Sequence, residues 1–319
     1  MKKQSATRDA YGKTLASLRD PNIVVLDADL SESTRTSFFA EKHPERFFEM
    51  GISEANMMGV AAGLATCGKN VFVSTFGVFA TTRALDQIRQ SICYADLDVK
   101  ICATHCGLTV GEDGATHQAI EDISIMRTLA NMEVIVPADA HEAGQVTQFL
   151  EKHKGPVYVR LGRNKYFNMH ENPRLRHRRY YNARFRFGKA QILKEGKEAT
   201  IIACGYMVTK ALMAAEKLAH ENIHVGVINM STIKPIDKEA ILKCPKPILT
   251  VEEGLVNGGL GSAVAEVLCE DFIDFSKKPM LKRMGVYNEF AESGKAEELL
   301  KKYGLTHDDI VAEMKNLLL

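Results

Sequence analysis

The sequence predicts two α/β domains with mainly parallel sheets. Three observations carry that expectation. Short apolar runs alternate with helical patterns along most of the chain, the alternation breaks once near residue 165, and no internal repeat or low-complexity tract interrupts it. Over 319 residues, 45% are hydrophobic and 25% charged, which suits a chain with a sizeable buried core. The pattern divides the chain into a first domain at 1–165, a linker at 166–188 and a second domain at 189–319.

In the first domain, strands are expected at 23–26, 70–73, 99–103, 133–136 and 157–160. Between them, helices are expected at 8–18, 54–66, 81–94, 120–130 and 140–152. A strand-like apolar run opens at Phe47, and Ser53 is in place to cap the helix that follows. Pro137 and Asp139 make a turn and a helix start before Ala140. From 164 to 179 the chain is polar and irregular, with Pro173 and the basic run RLRHRRYY. That run reads as a solvated connector whose aromatics, Tyr180, Tyr181, Phe185 and Phe187, pack on a neighbouring domain, because the rest of the chain is charge-balanced. Residues 184–193 alternate, turn at Glu195–Gly196 and return at 199–204, which reads as a hairpin opening a second α/β unit. Alternation continues at 206–221, 225–229, 238–242, 248–251 and 258–270. The turn through Gly258, Gly259, Leu260 and Gly261 reads as a helix start rather than a dinucleotide loop.

A net charge of +1 gives no global attraction to nucleic acid or membranes. The opening MKKQSATRDA has no apolar run behind its lysines, and no stretch is apolar enough to span a bilayer, so the expected location is cytoplasmic. Seven cysteines, at 67, 93, 102, 106, 204, 244 and 269, form no CxxC pair and read as reduced, mostly buried thiols. Cys102, His105 and Cys106 lack a second ligand pair at zinc-like spacing, so no metal site is assigned to this chain.

Three segments carry candidate chemistry. Glu54 falls in the first turn of a helix whose Met57, Val60, Ala61 and Leu64 form an apolar stripe, while Gly59, Ala62 and Gly63 keep the remainder small. Small side chains admit a close neighbour, either another helix or a bound ring. Phe76 and Phe79 lie just past a strand end, where open α/β sheets bind ligands and a flat heterocycle can stack. The loop THCGLTVGEDGATHQAIEDI follows another strand and sets His105 and His117 among Glu112 and Asp113, a grouping suited to proton transfer. All three converge on one sheet edge.

These segments resemble the transketolase family. RFFEMGISEANMMGVAAGLA is similar to its catalytic-glutamate segment, STFGVFATTRALDQIR to its aminopyrimidine-stacking segment, and THCGLTVGEDGATHQAIED to its substrate loop. TVEEGLVNGGLGSAVAEVL resembles the family's C-terminal domain, so nearly the whole chain is covered. The resemblance implies a thiamine-diphosphate pyrimidine-binding fold followed by a transketolase C-terminal-like domain. No GDG motif for diphosphate and Mg2+ (or Ca2+) occurs; the nearest string, Glu112-Asp113-Gly114, belongs to the substrate loop. The chain therefore resembles one subunit of a split enzyme whose partner, an N-terminal subunit bearing GDG, holds the diphosphate and metal. Self-association into a heterotetramer of two copies of each subunit (α2β2) is implied.

The resemblance also implies roles. Glu54 hydrogen-bonds the pyrimidine ring of thiamine diphosphate, held protonated in an apolar niche, and activates it. Phe76 and Phe79 line the pyrimidine pocket and Asp29 contacts the cofactor. His117 and Asp113 bind sugar hydroxyls and assist proton movements. Arg8, Ser33, His105 and Arg163 bind the sugar phosphate, with three of the four able to carry positive charge. Ala115 replaces the family's usual proline, and Thr82 stands where some relatives have an aromatic, both bearing on donor and acceptor preference. The implied activity is transfer of a two-carbon ketol unit from a ketose phosphate to an aldose, in pentose phosphate or a specialised sugar metabolism. Three other readings fit the domain pair. They are the β subunit of a 2-oxo-acid dehydrogenase, a half of a deoxyxylulose-phosphate synthase, and a non-catalytic regulatory module that kept the fold.

Overall fold

A computed structural model describes residues 4–166, 168, 169, 184–271 and 280–319. The first sheet is built from β1 (Ile23–Asp27), β2 (Phe47–Glu49), β3 (Asn70–Ser74), β4 (Val99–Ala103), β5 (Glu133–Ile135) and β6 (Val157–Arg160). The second is built from β7 (Gln191–Lys194), β8 (Ala199–Ala203), β9 (Val225–Asn229), β11 (Ile248–Leu255) and β12 (Leu281–Val286). Between β9 and β11 lies β10 (Thr232–Lys234), which leaves the second unit and joins the first sheet. The strand orders are β10-β5-β6-β4-β3-β1-β2 and β12-β11-β8-β9-β7. All neighbours are parallel except β10 on β5 and β7 on β9. The mainly parallel two-unit architecture expected from the alternation is thus present.

Strands β1, β3, β4 and β6 are buried along their whole length, as continuous apolar runs covered by helices on both faces require. Helices Thr7–Leu15 and Ala140–Leu150 cover one face, and Glu54–Thr66 and Asp122–Thr128 the other. Asp139 caps Ala140–Leu150 as expected, accepting the Glu142 N–H at 2.9 Å. One apolar core runs from Val24 and Met57 in the first unit to Ile228 and Leu260 in the second, so the two units share an interior.

Three expectations change. The hairpin at 184–204 does not form: β7 pairs with β9, Gln191 opposite Asn229. Both edges of β8 are taken by parallel partners, and the turn at Gly196 crosses tightly over the Gly226 backbone at the start of β9. The helix expected at 81–94 is a wide π-helical turn at Phe79–Arg83, one α-turn at Leu85–Gln87 and a second π-helical stretch at Ile88–Cys93. The Thr81 and Thr82 hydroxyls bond the carbonyls of Gly77 and Val78, the acceptors an α-helix would use there, and the backbone opens to the wider turn. The apolar stripe on Glu54–Thr66 is also rotated: Met57, Met58, Ala61 and Ala62 are buried, and Val60 faces outward.

Of the connector, the basic run with Tyr180 and Tyr181 lies outside the described residues. Phe185 and Phe187 do pack on the first unit, with ring centroids 5.4 Å from Phe149. The glycine turn at 258–261 starts the helix Leu260–Asp271, and the buried Glu252 carboxylate accepts the Leu260 and Gly261 N–H groups at 2.9 and 2.8 Å. That N-terminus is filled by the chain's own carboxylate, as a helix start rather than a phosphate loop. The structure adds β12 and the helices Ala296–Lys302 and His307–Leu318.

Candidate active site

Parallel strands all end on one edge of the first sheet, and their carboxyl-terminal loops lie in the order β6, β4, β3, β1, β2. Those loops carry Arg163, His105, Phe76 with Phe79, Asp29 with Ser33, and Glu54 respectively. The sheet order therefore gathers residues that are up to 134 positions apart in sequence.

Side chains connect across most of that edge. Arg8, on the helix Thr7–Leu15, donates from Nη1 to Ser33 O at 2.8 Å and to His105 Nε2 at 3.2 Å. His105 stacks on Phe76 with centroids 3.8 Å apart, and Phe76 stacks on Phe79 at 5.7 Å. His117 sets its ring edge-on to both phenylalanines, 6.1 Å from Phe76 and 5.4 Å from Phe79. The Arg83 guanidinium covers a face of Phe79 at 4.0 Å and donates to Glu54 Oε1 at 2.9 Å. A line of contacts thus runs from Arg8 through an aromatic wall to Glu54, which is 4% exposed.

Asp29 and Asp113 reach the same edge but are exposed and stand apart from this line. Asp29 sits at φ 61°, and its N–H donates to Glu49 Oε1 at 2.6 Å, which also accepts Gly51 N–H. Glu49 thereby ties the loop of Asp29 to the loop before Glu54. Arg163 is half-buried and bonds Val110 O and Glu112 Oε2, at 2.7 and 2.8 Å. Ser53 does occupy the cap position, but its hydroxyl turns back to Met50 O. Thr82 is exposed and bonds Val78 O, away from the aromatic wall.

Electrostatics correct two expectations. His105 is not a cation. Its Nε2 receives the Arg8 N–H, and arginine only donates, so Nε2 is unprotonated and Nδ1–H points to Thr104 Oγ1 at 2.9 Å. Burial, with Arg8 and Arg163 close by, pushes its pKa down to about 3. The cationic end is instead Arg8, Arg35 and Arg163. Burial first, then Arg35, lowers Arg8 below the usual guanidinium range, while Asp9 partly offsets them. Glu54 is also not in a purely apolar niche, since it is ion-paired to Arg83.

Several working residues were not singled out in the sequence. Arg83 lies in a segment that was, four positions after Phe79, where a wide helical turn brings the two side chains together. Asp27 holds the loop bearing Asp29 and Ser33, accepting Leu30 N–H and the Thr34 and Thr36 hydroxyls at 2.7–2.8 Å; burial raises it to about 6. Glu253, from the second unit, accepts both Thr109 N–H and its hydroxyl at 3.1 and 2.6 Å, inside the loop between the two histidines. The same loop donates from Gln118 to Glu292 O at 3.1 Å. No group of three or more metal-ligating side chains lies among the described residues, and the seven cysteines are free. No helix among them is long and apolar enough to cross a membrane.

Comparison with known proteins assigns the fold to one family. The model for the transketolase pyrimidine-binding domain matches residues 3–168, and that for the transketolase C-terminal domain matches 188–310. The chain belongs to the transketolase family. It is 48% identical over 305 residues to a protein named as a transketolase C-terminal section in Methanocaldococcus jannaschii, covering 95% of this chain and 93% of that one. It is 34% identical over 323 residues to human transketolase, covering 98% of this chain but 49% of the human one. A solved structure described as a split-gene transketolase, inactive β4 tetramer, superposes with a TM-score of 0.85 at 48% identity, covering 98% of each chain.

Proposed function

We propose that this chain is one subunit of a split, thiamine-diphosphate-dependent transketolase. With a partner holding the diphosphate and Mg2+ (or Ca2+), it moves a two-carbon ketol unit from a ketose phosphate to an aldose acceptor. The observation that carries the reading is the contact line from Arg8 to Glu54: cations at one end, an aromatic wall between, a buried carboxyl at the other. Its length along the edge and its order of chemistries suit a phosphorylated sugar meeting a flat heterocycle.

The residues fit the cofactor's pyrimidine. Phe79 and Glu54 already receive a planar group with N–H donors, the Arg83 guanidinium, by stacking and by hydrogen bonding. Thiamine diphosphate, when bound, supplies the carbon nucleophile that carries the ketol unit. Glu54 holds or releases a proton at Oε1 against the ring, and its burial keeps bulk water from that exchange. Phe76 and Phe79 exclude water from the ring's flank. His105, neutral and fixed by Arg8 and Thr104, offers hydrogen bonding without a charge. His117, half-buried and bonded to Thr116 Oγ1 at 2.9 Å, is the more accessible imidazole for proton movement on the sugar. Asp113, exposed on the same loop, would bind sugar hydroxyls, and Asp29 would contact the cofactor. Arg8 and Arg163, with Ser33 beside Arg8, form the phosphate end. The Arg8 Nε donor is buried without a hydrogen-bond partner among the described residues.

Co-expression with a GDG-bearing partner tests the proposal by assay of ketol transfer. The pair is expected to turn over, and Glu54→Gln to lower kcat by about 100-fold or more. Strong transfer by this chain alone overturns the split-subunit reading. Pyruvate decarboxylation coupled to a lipoyl acceptor replaces it with the dehydrogenase one. A heterotetramer of two copies of each subunit is the assembly expected.

A further inference from the structure

Arg83 stands in the slot that the cofactor's pyrimidine is to fill. Its guanidinium lies 4.0 Å from the Phe79 centroid and donates to Glu54 Oε1 at 2.9 Å. A guanidinium is planar, delocalised and made only of N–H donors. An aminopyrimidine is also planar, also stacks, and also presents nitrogen to a carboxyl group. The two therefore compete for the same two surfaces. The Arg83 side chain is 50% exposed and that of Glu54 is 5% exposed, so the arginine can swing into solvent while the carboxyl stays in place.

We infer that Arg83 is a positioning residue that holds the Glu54 carboxyl turned toward the slot and keeps the slot closed until a flat ring displaces it, an inference that rests on the thiamine-diphosphate reading. The wide turn at Phe79–Arg83 is what sets the guanidinium over the ring four positions earlier. Both contacts are of the weak kind that a ligand can break, a half-exposed ion pair and a cation–π stack. Displacement exchanges a side chain's cation for a ligand's ring on the same surfaces, and its one covalent change is a proton from solvent, which comes to lie between the Glu54 carboxyl and the ring nitrogen facing it. Closure in the free chain also spares a buried carboxylate from facing an empty apolar wall without a partner.

Calorimetric titration of the full chain tests this. Thiamine is the probe, because it carries the pyrimidine and needs no diphosphate site, and thiamine diphosphate with Mg2+ is the second probe. Arg83→Ala is expected to bind thiamine about 3- to 30-fold more tightly than the unmodified chain, the range expected from losing two weak competing contacts. Arg83→Lys, a point charge without a flat face, is expected to fall between them. In a Glu54→Gln background, Arg83→Ala is expected to give a smaller gain than it gives in the unmodified chain, which a merely structural role for Arg83 would not do. Equal or weaker binding by Arg83→Ala overturns the inference, and if that variant does not fold, the same sign is read from Arg83→Lys. If neither the unmodified chain nor any variant binds thiamine or thiamine diphosphate, the cofactor reading itself falls and takes the inference with it.

Discussion

His105 has one protonation state open to it in the folded chain. Arg8 occupies Nε2 as a donor, Thr104 takes Nδ1–H, and a second proton would put an imidazolium beside Arg8 and Arg163 in a site 3% exposed. The pH consequence has a definite sign. In the unfolded chain the imidazole takes its proton near pH 6.5, and in the folded chain only near pH 3. Between those values the unfolded state binds more protons, so the contribution of His105 is complete above pH 6.5 and is lost as pH falls toward 3. At 1.36 kcal/mol per unit, the loss from pH 6.5 to 4.5 is roughly 2–3 kcal/mol. His105→Gln keeps an acceptor near Nε2 but cannot titrate. Urea unfolding at pH 7 and pH 4.5 should therefore show the unmodified chain losing that much more stability than the variant; parallel losses would mean that the imidazole is solvated and free to charge. Asp27 runs the other way. Raised to about 6, its contribution is complete below the ordinary carboxylate range and is lost as pH rises through 6.

At the next scale, the segment after β3 and the loop after β4 approach too closely for a side chain between them. A Cβ on Gly77 would press on Cys106 Sγ and come within 2.9 Å of Ala119 Cβ, and both neighbours are buried and packed. The Gly77 N–H meanwhile bonds Thr104 O at 2.7 Å, drawing Phe76 onto His105. Gly77→Ala should therefore cost roughly 1–3 kcal/mol by overpacking, outweighing the up to about 1 kcal/mol that alanine brings to a helical position. Thermal unfolding would read the loss, and an unchanged or raised melting temperature would show that the two segments are free to part. This approach also marks where sequence pattern stops being informative. Strands β1, β3, β4 and β6 were legible because a fully buried parallel strand writes a continuous apolar run. Phe76, Phe79, His105 and His117 were legible as candidates because they follow those runs, and Glu54 because it opens a helix of small side chains. The wide turn at Phe79–Arg83 was not, since its cause is two hydroxyls bonding carbonyls four residues back, in a sequence whose periodicity still reads as a helix. The pairing of β7 with β9 was hidden because alternation gives a strand but not its neighbour. The start of the last helix, at Thr306-His307-Asp308-Asp309, is a reciprocal capping box, a signal that the sequence reading passed over. The neutrality of His105 and the pairing of Arg83 with Glu54 depend on side chains from different loops, and no local pattern encodes them.

Across the whole molecule, the second unit reaches the site through buried charge. Arg160, at the end of β6, bonds both Asp122 oxygens at 3.1 and 2.8 Å and lies 3.7 Å from Glu253 Oε1, and all three side chains are 5% exposed or less. Tyr158 completes the cluster, donating to Asp122 at 2.8 Å. Glu253 belongs to β11 of the second sheet, yet it takes the Thr109 N–H and hydroxyl, in the loop between His105 and His117. Four more contacts follow the same loop. Leu255 N–H bonds Ile120 O at 2.7 Å, Gln118 bonds Glu292 O, and Gly111 and Gly114 pack against Gly294 and Ser293. The second unit therefore acts as the template on which the histidine-bearing loop is laid, and Glu253 joins that template to the arginine at the centre of the first sheet's edge. Burying charges costs solvation that only their mutual attraction offsets, so removing one member leaves the others exposed to the full cost. Glu253→Ala should lower stability by about 3–5 kcal/mol. Glu253→Gln, which still offers an oxygen to Thr109 but no charge to Arg160, should fall between that variant and the unmodified chain. Hydrogen exchange should accelerate in 104–120 in both variants, ahead of β1 and β3. If exchange instead rises uniformly over both sheets, Glu253 is only one more buried carboxylate holding two units together, and the loop takes its shape from its own sequence.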